Sequence, residues 1–221
     1  MIELRSKEEI YRIWTALGVA FSSEPMNDIP PERALLETIR SIDIDRDRKI
    51  FSLVLVWLET YGDHIRFEPI YHFLESMTDQ EMRVLGAISL KLSKESKRWL
   101  NVVKKINKRL NPSFDEMKLS DSRRLEARGV DKDFEIFDLL VSPIATSDSS
   151  KLMSMDHIIK NNYWIRNRIM LGNNLRADVI SSIDFNPAPS RYSSAKLIGC
   201  RDQSIYGPWR EVERVKKVMG L

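Results

Sequence analysis

Apolar residues return every three or four positions through the first hundred residues, and each stripe begins at a helix cap. This punctuation constrains the fold more than any other feature of the chain. Ser6 followed by Glu9 is a capping box ahead of Ile10, Ile13, Trp14 and Leu17, and Thr78 followed by Glu81 is another ahead of Met82, Leu85 and Ile88. Pro30 and Pro31 open a helix through Leu35, Leu36 and Ile39, and Pro69 fits the first turn of one through Phe73 and Leu74. Asp45 and Asp47 precede an apolar helix from Ile50 to Leu58 that Gly62 closes. The last stripe predicts a helix from Lys94 to Leu110, with Trp99, Leu100, Val103 and Ile106 on one face. Six helices in three hairpin-like pairs are expected, without an internal repeat.

Beyond Asn111-Pro112-Ser113 the pattern weakens. Phe134, Ile136, Leu139, Leu140 and Val141 predict a short buried helix or strand, and Ala145 to Ser150 reads as a loop. A helix is predicted from Met155 to Leu171, through Ile158, Ile159, Tyr163, Trp164 and Ile169, stopped by Gly172 and Asn173. Residues 1–110 are thus expected to form a helical partner-binding or dimerisation domain, and 111–173 a connector with a linking helix.

Composition narrows the class. With 43% hydrophobic and 30% charged residues the chain is ordinary globular material. The longest apolar run, Ile50 to Leu58, is far short of a membrane span. The N-terminus lacks the apolar stretch of a secretory signal, and the single Cys200 has no partner for an intrachain disulfide, so a reducing cytoplasm is the expected setting. The net charge of +3 hides an uneven distribution. Lys and Arg outnumber Asp and Glu by 8 to 1 over residues 91–110 and by 11 to 5 over 160–221, while the two other segments are acidic. Basic clustering is what a polyanion-binding surface needs; for 91–110 alone, a solvated helix face suffices.

Residues 174–221 carry the functional case. Asn174 can cap a helix with Leu175, Val179, Ile180 and Ile183, which Asn186-Pro187-Ala188-Pro189 ends. Ser190 caps a short second helix to about Ile198, Gly199 breaks it, and Asp202 caps a third helix to about Met219. Ala195 is small where two helices meet, Gly199 can take a positive φ, and Ile205 closes a small core with Trp209, Val212 and Val215. This spacing resembles the helix-turn-helix of bacterial and archaeal transcription regulators. The DFNPAPS connection before the short helix resembles that of winged-helix regulators of the ArsR and MarR type. The likeness covers about a fifth of the chain. It implies that the third helix lies in a DNA major groove with residues near its N-terminus at base edges.

The exposed face expected for that helix agrees. Gln203, Gly207, Arg210, Arg214 and Lys217 recur at helical spacing opposite the apolar stripe. Gln203 suits adenine and Arg210 guanine, with Ser204 beside them, while Arg191, Lys196, Arg201, Arg214 and Lys217 suit phosphates. Two features depart from the regulator pattern. Pro208 should kink the third helix or delay its start to that residue, and the sequence ending at Leu221 leaves no room for a β-wing.

Enzyme signatures fail on inspection. Asp43, Asp45 and Asp47 mimic a calcium loop, but Arg48 and Val54 stand where its glycine and glutamate belong. His64, His72 and His157 have no metal-ligand spacing. Glu116-Met117-Lys118 gives a nuclease-like E-x-K, but no Asp between residues 80 and 114 completes it, and its surroundings are unlike a buried strand. Cys200 is expected to act as a small buried hydrophobe. The sequence therefore predicts a mainly α protein without enzymatic activity, cofactor, metal or membrane association. An N-terminal multi-helix domain is followed by a three-helix helix-turn-helix module lacking a full wing. The expected function is a homodimeric, sequence-specific regulator of double-stranded DNA reading the major groove with helix 203–218. The alternative is a helical interaction module, an antitoxin or adaptor, using the same surface for a protein.

Overall fold

Both capping boxes form, and with them the first half of the helical series. The Ser6 hydroxyl accepts from the Glu9 amide at 3.2 Å and the Glu9 carboxylate accepts from the Ser6 amide at 2.8 Å. The backbone hydrogen bond from Ser6 holds the Glu9 carboxyl below its usual range. Thr78 and Glu81 repeat the arrangement. The computed structural model describes residues 3–111, 115–144, 149–185 and 189–219, and it is mainly helical.

The helices are α1 (Lys7–Ala16), α2 (Pro31–Ser41), α3 (Arg48–Tyr61), α4 (Phe67–Phe73), α5 (Asp79–Leu92), α6 (Trp99–Asn107), α7 (Ser122–Arg128), α8 (Lys132–Glu135), α9 (Met155–Asn161), α10 (Tyr163–Leu171), α11 (Leu175–Phe185), α12 (Arg191–Ile198) and α13 (Asp202–Met219). Two two-residue strands, β1 (Met117–Lys118) and β2 (Leu139–Leu140), pair in parallel, Met117 opposite Leu139. Met117 and Lys118 of the E-x-K fragment lie in a strand that is not buried, with Lys118 exposed. The expected sequence breaks at Asn111-Pro112-Ser113, at Ala145 to Ser150 and at Asn186-Pro187-Ala188-Pro189 fall partly at 112–114, 145–148 and 186–188, outside the described residues.

Several boundaries differ from the periodic reading. The sixth helix starts at Trp99 rather than Lys94, because residues 93–98 form successive turns that reverse the chain and let α6 lie against α5. Its buried face is Trp99, Val102 and Ile106, while Leu100 is exposed. Of the three expected hairpins, α1 with α2 and α5 with α6 form, but α3 packs on α5 and α4 on α2 and α6. The 3-10 turn Gly62–His64 redirects the chain between them. The predicted helix 155–171 is two helices. Asn162 leaves the helical region at φ −125°, and its side chain accepts from the Ile165 amide at 3.0 Å, capping a second start.

One large core gathers Trp14, Leu35, Phe51, Trp57, Ile70, Leu85 and Trp99 and extends to Phe134, Phe137, Leu139, Val141 and Ile144. Buried indoles need partners. Trp14 donates to Thr38 Oγ1 at 2.8 Å and Trp57 to the Leu17 carbonyl at 2.6 Å. Residues 115–144 thus complete the large core, except that Ile136, predicted buried, is exposed. Gly86 makes that packing possible, since a Cβ there would sit 2.4 Å from the Phe137 ring. The three aspartates of the calcium-like stretch diverge. Asp43 accepts from the Asp45 and Arg46 amides, Asp45 meets Arg124, and Asp47 meets Lys7 and the Tyr11 hydroxyl. No described helix is long and apolar enough to cross a membrane.

A smaller core holds Trp164, Val179, Ile183, Ala195, Ile198, Ile205 and Trp209. Helix α10 serves both, with Ile165 in the large core and Trp164 in the small one. Beneath their junction Arg168, fully buried, bridges Glu32 of α2 at 2.7 Å and Asp178 of α11 at 2.7 Å. Arg66 also reaches Asp178, and its amide donates to Glu32. Burial works against the Arg168 charge, but the two carboxylates outweigh it and raise the pKa.

Candidate nucleic-acid interface

Local chemistry sets out three helices. The Asn174 side chain accepts from the Ala177 amide at 3.1 Å and starts α11. Ser190 and Ser193 exchange hydrogen bonds at 3.0 and 3.1 Å, a capping box that starts α12. Gly199 then takes the left-handed conformation at φ +76°, and its amide and that of Cys200 both donate to the Ala195 carbonyl. The turn is also a close approach. A Cβ on Gly199 would lie 2.3 Å from the ring of Phe73, so α12 and the turn sit directly on α4. Burial pushes the Cys200 thiol up to about 11, which leaves it neutral and unreactive at ordinary pH.

Helix α13 runs unbroken from Asp202 to Met219 with Pro208 inside it, so the delayed start is corrected. Ile205 and Trp209 flank the proline on the buried side and anchor the first turns. Asp202 is the first helical residue, and its carboxylate receives both arms of the Arg191 guanidinium at 2.9 and 2.7 Å. Val215, expected in the core, is 55% exposed, because the small core ends at the half-buried Val212.

The structure divides the eight predicted contact residues into groups. Arg210, Arg214 and Lys217 line one open depression of about 510 Å³ with Tyr206, Gly207, Glu211 and Glu213. Glu211 is held by Arg176 at 2.6 Å, which leaves the three cations beside Glu213 on that face. Gln203 is exposed on the first turn of the same helix. Arg201 and Ser204 instead line a cleft of about 470 Å³ facing Glu68, Tyr71, His72 and Glu75 of the α4 region, Lys105 of α6 and Arg109 in the turn after it. Lys196 lies with Tyr192, His72 and Asp202 around a third hollow of about 170 Å³. Arg191 is paired with Asp202, and both side chains remain part-exposed.

Three contributors, Tyr206, Lys105 and Arg109, were not among the residues the sequence singled out. Tyr206 is half exposed and flanked by guanidinium groups, Arg191 at 5.2 Å and Arg210 at 5.6 Å from its ring centre. Such stacking orders Arg210 against the helix surface. Lys105 and Arg109 come from the basic run 91–110, read as a solvated face, and the signal was that charge run itself. Lys105 stands 4.0 Å over the Tyr71 ring and Arg109 is 3.9 Å from Glu75. Among the described residues no three His, Cys, Asp or Glu side chains gather as a metal ion would require. The arrangement offers guanidinium and ammonium donors to an anion along one helix face. Comparison with family models, with curated protein sequences and with solved structures returns no match.

Proposed function

We propose that this protein binds double-stranded DNA through the outward face of α13 and acts as a transcription regulator. The observation that carries the reading is the row Gln203, Gly207, Arg210, Arg214 and Lys217, all exposed, on a helix that follows a left-handed glycine turn. The row is backed by the buried Ile205 and Trp209. A helix held from behind by packing presents its polar side chains at fixed spacing, which groove recognition requires. Arg210 is the base-reading candidate and Arg214 and Lys217 are phosphate ligands. Gly207 has nothing within 4 Å of a built Cβ, so the helix surface there is open to close approach.

The test is fluorescence anisotropy of a labelled mixed-sequence duplex titrated with the full chain at several salt concentrations. The logarithm of the affinity is expected to fall linearly with the logarithm of salt, and Arg214→Ala should reduce the slope by about one. Arg210→Ala should weaken binding to a selected site by about 1 to 3 kcal/mol. A wild-type chain that binds no duplex at low salt overturns the proposal and leaves the same face to a protein partner.

A further inference from the structure

The last turns of α13 carry an apolar strip that no described residue covers. Val215 is 55% and Val218 is 80% exposed, and with Val212 they recur every three residues along one side of the helix. Val212 and Val215 join Ile180 of α11 in lining a groove of about 310 Å³, edged by Arg176, Glu211 and Lys216. Contiguous apolar surface rimmed by charges marks an interaction site.

The geometry points to a second copy of this chain as the occupant, its α13 lying antiparallel to the first about a two-fold axis between residues 213 and 214. Charge selects this pairing. In a parallel pair Glu211 would face Glu211 and Lys216 would face Lys216. In the antiparallel pair, residues whose numbers sum to the same value meet. Glu211 then faces Lys216 of the second copy, and Val212 faces its Val215. Every one of these contacts occurs twice, as a closed isologous interface requires.

The same axis arranges the basic faces. At roughly 100° per residue, Arg214 lies about a quarter turn from Val215, so the cationic row is directed away from the contact. The row centres roughly 150° from the Val212–Val215 edge, so a two-fold axis normal to the pair directs the two rows outward to opposite flanks and leaves both open. The dimer is testable without DNA and does not depend on the DNA-binding reading above.

Sedimentation equilibrium of the full chain without DNA should give a species of twice the chain mass. Val215→Glu places a charge on an exposed position of the strip, and should raise the dimer dissociation constant about tenfold or more with an unchanged circular dichroism spectrum. Glu211→Lys and Lys216→Glu should each be weakened alone, yet form a heterodimer when mixed, because mixing restores both opposite-charge contacts. A wild-type chain that stays monomeric, a dimer indifferent to Val215→Glu, or single reversals that fail to recombine overturns the proposal. Dimerisation without duplex binding would sink the DNA reading alone; duplex binding by a monomer would sink this interface alone.

Discussion

Gly199 carries two constraints at once. Its φ of +76° suits a residue without a Cβ, and the space a Cβ would need is taken by the Phe73 ring. Gly199→Ala is therefore expected to destabilise the protein by roughly 1 to 3 kcal/mol, read as a lower urea midpoint. Gly199→Ala combined with Phe73→Leu should recover part of the loss; no recovery would mean that strain at φ, not crowding, dominates. His64 makes a pH-dependent contribution. Burial, followed by the nearby Arg168 charge, lowers its pKa from the ordinary 6.5. In the unfolded chain it takes up a proton more readily than in the fold, so stability is intact above pH 6.5 and is lost as pH falls through the lower folded value. Thermal unfolding followed from pH 7.5 downward should show this limb, and His64→Gln should flatten it. An unchanged limb would assign the acid sensitivity to other groups.

At the scale of elements, what could be read from the sequence was what is local. Caps act within four residues, so Ser6, Thr78, Asn174, Ser190 and Gly199 announced their helices correctly. The period of an apolar stripe tells which face of a helix is covered but not how far its partner extends. Val215 continues the stripe of Ile205, Trp209 and Val212 past the point where packing stops. The pairing of Arg191 with Asp202 was not legible, because the two lie across the turn and not on one helix. The approach of α6 to the start of α13 depends on the seating of the turn against α4, which no window of sequence contains. Pro208 shows local and tertiary terms in competition. It lacks the amide that would bond to the carbonyl four residues back, yet Ile205 and Trp209 are buried on either side and hold the helix through it. Pro208→Ala is expected to raise stability by about 1 to 3 kcal/mol in thermal unfolding. A lower midpoint would show that the ring contributes packing worth more than the missing bond.

Across the whole molecule, the relation between the two cores is fixed by charge as well as by apolar contact. Arg168 and Glu32 stand 136 positions apart, and both are fully buried, as is Asp178. Removing an ion from water is costly, and mutual attraction offsets that cost only while every partner is present. Arg168→Met leaves Asp178 buried with the Arg66 guanidinium and Glu32 with only the Arg66 amide, a loss of about 3 to 5 kcal/mol. Because Asp178 belongs to α11 and Glu32 to α2, the damage should concentrate at the junction. Amide exchange in α11, α12 and α13 is expected to accelerate before that in α2, α3 and α5, and urea unfolding should broaden from one transition toward two. Adding Glu32→Gln to Arg168→Met removes the carboxylate left without a guanidinium and keeps Asp178 paired with Arg66, so the double variant should be more stable than the single one. A double variant less stable than Arg168→Met would instead assign the cluster's contribution to its hydrogen-bond geometry. The same measurement bears on the basic face, since Asp178 and the small core lie on the helices that support α13 from behind. If the junction loosens while duplex affinity stays unchanged, α13 needs only its own three-helix packing to present Arg210 and Arg214. If affinity falls in parallel with exchange protection, the larger body holds the recognition surface in place.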